Sequence, residues 1–239
     1  MTPLFYFRDF QNRLSFRLRS QIRFHKNPKT DELVKPGVLQ LQDELGDFLD
    51  LFHWGNFGLS LSSTNPLLVG DVGARDFSFA PVFDRHFRNK GIREVEVHGF
   101  EVDAYRRYTN LCSRADYGRA FAGRIPKGYY HAMDFLDWDL PLDVIFLLHP
   151  FVTPEPPLRW GLPLSVYRPQ ILFEHCMRIL KTRTGILLLS NPTLKEFEIS
   201  LNLAEKAGFT VKQKVLWKAT STNPAHQKPR FGAWLSCYP

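Results

Sequence analysis

Three acidic residues stand at the ends of successive apolar runs. They are Asp71 in Val69-Gly70-Asp71-Val72-Gly73, Glu101 in Gly99-Phe100-Glu101-Val102-Asp103, and Asp134 in Met133-Asp134-Phe135. A nucleotide-like ligand crossing a strand end needs backbone without a side chain, and Gly73 supplies it. An acid just before that glycine suits a ligand carrying positive charge and would repel a pyrophosphate. The dinucleotide fingerprint G-x-G-x-x-G is absent, and so is the phosphate loop G-x-x-x-x-G-K-[ST]. A carboxylate at Glu101 can accept hydrogen bonds from both hydroxyls of a ribose. Asp134 can accept from the amino group of an adenine, with Phe135 against the ring. A fourth apolar run, residues 142–148, ends in His149-Pro150-Phe151 and opens onto a proline-rich stretch at 154–163. Function concentrates on such strand-end loops. His149 reads either as a base or as a hydrogen-bonded structural residue. Each acid alone would be an ordinary turn or surface residue. Three of them closing successive strands, with a glycine after the first, form a ligand-binding constellation. The eight histidines show no metal spacing, and no metal is expected.

These residues need strands to carry them. From Leu67 onward, strand and helix patterns alternate. Strands are predicted at 67–71, 94–101, 129–133, 142–148, 185–189, 209–217 and 232–238, and helices at 78–89, 104–115, 167–180 and 193–207. Gly91 falls just past the first of these helices, the usual place for a C-terminal glycine. Thr193 and Glu196 form a capping box, and Gly208 ends that helix. Residues 142–148 are apolar almost throughout, as a strand buried on both faces requires. No helix fits between the last two strands, so an antiparallel pair is expected there. The predicted fold is α/β: a Rossmann-like, mostly parallel seven-stranded sheet with a terminal antiparallel strand. Ligands of such sheets bind at the carboxyl ends of the strands, where the strand order reverses.

With these features the region from Leu67 to Tyr238 resembles the class I S-adenosylmethionine-dependent methyltransferases. Asp71-Val72-Gly73 matches the start of the family's first motif, D-x-G-x-G-x-G; Glu101 matches the acidic end of its second strand, and Asp134 its third motif. The resemblance implies S-adenosylmethionine as cofactor, with Asp71, Gly73, Arg75, Glu101, Asp134 and Phe135 around it. It also implies methyl transfer to an acceptor that the sequence does not name, whether small molecule, RNA or protein. Arg75 and Phe77 stand where the family usually has its second and third glycines. Arg75 adds a positive charge near the cofactor's expected carboxylate, while Phe77 is placed to crowd the site. The fourth strand is not followed by N-P-P-[YF], of which His149-Pro150-Phe151 is a loose echo. The alternative is a non-catalytic member of the fold that binds or scaffolds. A pocket blocked by Phe77 would favour it; an open one reached by Gly73, Glu101 and Asp134 would count against it.

Residues 1–63 read differently, as a helical N-terminal extension or lid to a domain at 64–239. Phe7, Phe10, Leu14, Leu18 and Ile22 follow helical spacing with Arg8, Arg13, Arg17, Arg19 and Arg23 interleaved. The simplest arrangement is a helix covering the sheet with its arginines in water. A substrate-gripping lid, a membrane-surface anchor and a transit segment are the other readings. A second helix at 37–52 has Leu41, Leu45, Phe48, Leu49 and Phe52 on one face and acids on the other. Residues 59–66 read as a linker. Hydrophobic residues at 44% and charged residues at 23% are the balance of a globular domain, which excludes a disordered chain. Three widely spaced cysteines, Cys112, Cys176 and Cys237, argue against a disulfide framework and for a reducing, cytoplasmic setting. No apolar run is long enough for a membrane span, and no secretory signal is evident. The net charge of +7 permits a polyanionic partner such as RNA, or an anionic membrane surface, without requiring either.

Overall fold

A computed structural model of the chain describes residues 3–53, 66–182, 185–218 and 229–238. Its helices are α1 (Pro3–Gln21), α2 (Pro36–Asp50), α3 (Ala80–Asn89), α4 (Arg114–Ala122), α5 (Glu155–Arg159), α6 (Pro169–Lys181) and α7 (Leu194–Lys206). Its strands are β1 (Leu67–Val72), β2 (Val95–Phe100), β3 (Gly128–His131), β4 (Val144–Leu148), β5 (Ile186–Asn191), β6 (Thr210–Lys218) and β7 (Pro229–Ser236). They form one sheet in the order β3-β2-β1-β4-β5-β7-β6. Neighbours from β3 across to β5 are parallel, and β7 runs antiparallel to both β5 and β6. The order reverses between β1 and β4, which opens a crevice at the carboxyl ends of the central strands.

The side-chain alternation explains the three layers. In β4, Val144 and Phe146 enter one core cluster while Ile145 and Leu147 enter the other; β5 repeats this with Ile186 and Leu188 against Leu187 and Leu189. A strand apolar on both faces needs helices on both. On one face, α2 contributes Leu45, Phe48 and Leu49, and α3 contributes Phe83 and Phe87. On the other, α6 contributes Phe173 and Ile179, and α7 contributes Phe197 and Leu201. The Phe83 ring stacks on Phe146 at 4.2 Å between centroids, and both are fully buried. Truncating either to alanine would cost about 3–5 kcal/mol.

The expected punctuation holds at both glycine ends, Gly91 and Gly208, which adopt φ of 93° and 100°. Thr193 caps α7 by accepting from the Glu196 amide at 3.2 Å, and its hydroxyl donates to the Glu196 carboxylate at 2.7 Å. Three expectations change. The helix read at 104–115 begins only at Arg114. Ser113 and Asp116 form a reciprocal capping box there, and the preceding residues are a turn held by the Arg107–Ser113 bridge. Next, the second of the two expected N-terminal helices, α2, packs into the main core, where Phe48 lies so close to Gly232 that an added Cβ would come within 2.5 Å of its ring. The linker read at 59–66 lies outside the described residues except for Pro66.

The third change concerns α1, whose orientation is the reverse of the one expected. Leu4, Phe7, Phe10, Leu14 and Leu18 are each 51–79% exposed. The inward positions are Phe5, Asp9, Asn12, Phe16 and Arg19. The reason is polar satisfaction. Asn12 donates to the carbonyls of Leu158 and Leu162 at 2.9 Å each, and Asp9 accepts from the Leu164 amide at 2.7 Å. A loop with backbone groups to satisfy selects a polar helix face over an apolar one.

Candidate active site at the carboxyl edge of the sheet

Residues Val69 to Val72 are held between β2 and β4, with Asp71 level with Gly99 on one side and Phe146 on the other. The chain then turns back over the end of β2. The amides of Gly73 and Ala74 both donate to the Phe100 carbonyl, at 2.9 and 3.0 Å, and the Arg75 amide donates to Glu101 Oε2 at 3.0 Å. Gly73, Arg75 and Phe77 all take left-handed φ, at 78°, 51° and 57°. These are the three positions where the resembled motif carries glycine, and here only Gly73 escapes the Cβ penalty. Space lies open over Gly73: a Cβ placed there would meet nothing within 4 Å.

Phe77 does not fill that space. Its ring is fully buried in the core, packed over Gly99 and 6.0 Å from the Tyr130 ring centroid. A Cβ on Gly99 would come 2.4 Å from it. The missing glycine at 77 is thus matched by a glycine on the neighbouring strand, which makes room for the ring.

Asp71 is buried, and its Oδ2 has no hydrogen-bond partner among the described residues. Burial pushes its carboxyl up to about 8, and the nearby Glu101 and Asp76 push it the same way. Asp76 itself accepts from the Tyr108 hydroxyl at 3.0 Å. The Tyr108 phenol is raised to about 12, first by burial and then by Asp76.

Glu101 lies at the end of β2, 5% exposed. Its Oε1 accepts from the Asp103 amide at 2.8 Å and from Arg114 Nη1 at 3.1 Å, while Oε2 accepts from the Arg75 amide. A carboxylate offers about four acceptor directions, so these three donors leave about one. Asp103, also buried, is clamped by Arg19 through Nε at 2.9 Å and Nη2 at 3.2 Å, and by Arg106 Nε at 2.6 Å. Arg19 and Arg106 then converge on the Gly161 carbonyl, at 3.0 and 3.3 Å. The inward face of α1 therefore ties the end of β2 to the loop that follows β4.

The remaining expected residues lie along the same edge. Asp134 is half-buried; it accepts from the Leu136 amide at 3.0 Å and pairs with Arg168. Phe135 is buried between Phe100 and His175, with centroids 5.0 and 4.9 Å away, so its ring serves the core. Arg75 is exposed and stands over the Trp160 ring at 5.7 Å. His149 follows β4 at φ 60°, its amide bonded to the Ser190 carbonyl at 2.8 Å; the residue as a whole is exposed, yet desolvation of its imidazole, and then Arg230, push it down to about 4. Non-glycine residues in this conformation are strained, and three of the four in the described chain, Arg75, Phe77 and His149, sit at this edge. Among the described residues no group of three His, Cys, Asp or Glu could hold a metal ion, and no helix is long and apolar enough to cross a membrane.

The sequence reading missed Arg114, Asp103, Arg19 and Arg106. Asp103 was in view as the second acid of Glu101-Val102-Asp103. Arg106 stands only three residues from Asp103, but Arg114 is 13 residues from Glu101 and Arg19 is 84 from Asp103, so these two carried no local signal.

The sequence matches no protein-family model and no curated protein. Solved structures do match. One is a SAM-dependent methyltransferase from Aquifex aeolicus, 16% identical over 87% of this chain and 96% of that one, with a TM-score of 0.52. Another is magnesium protoporphyrin IX methyltransferase from Synechocystis PCC 6803 with bound SAM, 14% identical over 97% and 95% of the two chains, TM-score 0.50. A third is described as a putative RNA methyltransferase from Pyrococcus horikoshii, 14% identical over 95% and 97%, TM-score 0.50. At such identities the likeness establishes the fold alone: a Rossmann-like, mostly parallel seven-stranded sheet with a terminal antiparallel strand.

Proposed function

We propose that this chain binds S-adenosylmethionine at the carboxyl edge of its sheet and transfers the methyl group to an acceptor. The observation that carries this reading is the buried Asp71 carboxyl, with one oxygen unpartnered, two residues before Gly73, over which space lies open. A buried acid without a partner is costly unless a ligand completes it. A cation is the ligand that does so, and the cofactor's ammonium and sulfonium are cations. The donor set fits this group in part. Asp71 and Gly73 receive its amino-acid end, Asp134 faces the adenine amino group, and Glu101 keeps about one free acceptor direction for a ribose hydroxyl. Phe135 supports this wall from beneath, and Arg75, exposed at the mouth, reaches for the cofactor's carboxylate.

When bound, S-adenosylmethionine supplies a methyl group on sulfonium, already activated for in-line displacement. The chain's own part is to align the acceptor and take up its proton where the chemistry needs it. His149, after β4, is the candidate for the proton, a weak base because desolvation and Arg230 hold its imidazole down at about 4. The acceptor reaches this edge past the loop of 155–166. Its class stays open among small molecule, RNA and protein, and the compartment we assign is the cytoplasm.

The rival reading, a non-catalytic binding or scaffolding protein, is favoured by one feature: Arg114 already neutralises Glu101. It is weakened by Phe77, whose ring is in the core. Isothermal titration with S-adenosylmethionine and S-adenosylhomocysteine separates the two. Saturable binding of either ligand supports the enzyme, and no heat from both at millimolar concentration removes it.

A further inference from the structure

The apolar stripe of α1 is the largest feature that the site leaves unused. Leu4, Phe7, Phe10, Leu14 and Leu18 lie at helical spacing on the face opposite Asp9, Asn12 and Arg19, and each is more than half exposed. Ile22 and Phe24 continue it beyond the helix end, at 56% and 61% exposed. Monomeric proteins rarely leave so large a contiguous apolar face in water. Arg8 borders the stripe on one side; Arg13 and Arg17 border it on the other, all exposed. From Phe5 to Lys26 there are five arginines and one lysine; of these Arg19 is turned inward onto Asp103, and Arg13 pairs with the single acid, Asp9, at 2.5 Å.

We propose that α1 docks this protein onto an anionic lipid surface, lying in the plane of the interface with its stripe among the acyl chains and the flanking Arg8, Arg13 and Arg17 at the headgroups. Charge decides among occupants. A second copy of α1 would bring arginine flanks against arginine flanks, which repel. A nucleic acid would neutralise the arginines and leave the stripe in water. An anionic bilayer takes both at once, burying the apolar face and pairing the cations. The inward face of α1 is fixed to Asp103 and to the 158–164 loop, so docking holds the carboxyl edge of the sheet next to the membrane surface.

The test is flotation of the full chain with vesicles of phosphatidylcholine containing phosphatidylserine, beside vesicles of phosphatidylcholine alone. The expected result is binding to the anionic vesicles only, weakened by added salt. The double variant Leu14→Asp, Leu18→Asp should lower vesicle binding by at least about tenfold, because both side chains leave water on docking. Its thermal midpoint should match the parent, since both residues are exposed in the folded chain. S-adenosylhomocysteine titration of the same samples reports the cofactor site separately. Absence of binding to anionic vesicles overturns the proposal, as does equal binding by the variant. A concentration-dependent mass increase abolished by the variant, without vesicle binding, would make the stripe a self-association surface instead. Salt-sensitive RNA binding without vesicle binding would also overturn it.

Discussion

If Asp71 receives the cationic end of the ligand, binding must be linked to its proton. The free carboxyl titrates near 8 because it is buried beside Glu101 and Asp76. A cation at its unpartnered oxygen stabilises the carboxylate, so binding expels the proton. The ligand's α-ammonium stays charged below its reference value of about 7.7–8.0, so pH 5.5–7 is the informative window. Across it the carboxylate fraction of the free protein rises close to tenfold per pH unit. Affinity for S-adenosylhomocysteine should therefore rise about thirtyfold from pH 5.5 to 7, about 2 kcal/mol. Titration calorimetry in buffers of different ionisation enthalpy should show close to one proton released per ligand bound. Histidines also titrate in this range, and Asp71→Asn separates the two sources. The variant should bind more weakly at pH 7 and lose most of the pH dependence. Affinity flat with pH in the parent, or the same slope in the variant, would refute the reasoning.

The same raised value has a consequence for stability. The unfolded chain ionises Asp71 near 4, whereas the folded chain keeps the proton until about 8, so stability is lost as pH rises between those values. Asp71→Asn should then raise the melting temperature at pH 7 and flatten its pH dependence; a lower melting temperature at pH 7 would count against the assignment. Glu101→Ala leaves the buried Arg114 only the more distant Asp103 carboxylate, at 4.0 Å, and should cost stability by chemical denaturation, up to about 3 kcal/mol, the lower end expected for breaking a buried pair. Glu101→Ala combined with Arg114→Met should recover part of that loss, and strict additivity of the two single changes would argue against coupling. At position 75, φ of 51° penalises any Cβ, so Arg75→Gly should be more stable than Arg75→Ala by about 0.5–1 kcal/mol. Arg19→Ala removes the bonds that tie α1 to Asp103 and Gly161, leaving those of Arg106; hydrogen exchange in α1 should quicken while β4 and β5 stay protected.

The sheet was legible in the sequence because buried strands leave an unbroken apolar run, as residues 142–148 do, and helices leave periodicity and caps, as Thr193 and Gly208 do. The three acids were legible because each closes such a run. The alternation of strand and helix makes the strands parallel and puts Asp71, Gly73, Glu101 and Asp134 on one edge; which strands are neighbours was decided by the tertiary structure. Local signals stop where a residue's partner is distant. Residues 104–115 carry helical spacing, yet Ser113 caps a helix that starts at Arg114, and the stretch before it is spent on bonds around Asp103. Phe77 reads as an obstruction until Gly99, on another strand, is seen to accommodate it. Periodicity in α1 announces an amphipathic helix but not which face turns inward. Unsatisfied carbonyls at Leu158, Gly161 and Leu162 and the buried carboxylate of Asp103 decided that, because leaving them unpaired costs more than leaving five apolar side chains in water. The sequence determined the elements and the acids at their ends. Tertiary structure decided which acids are already paired, leaving an unpartnered oxygen on Asp71 and most of Glu101 engaged by Arg114 and two backbone amides.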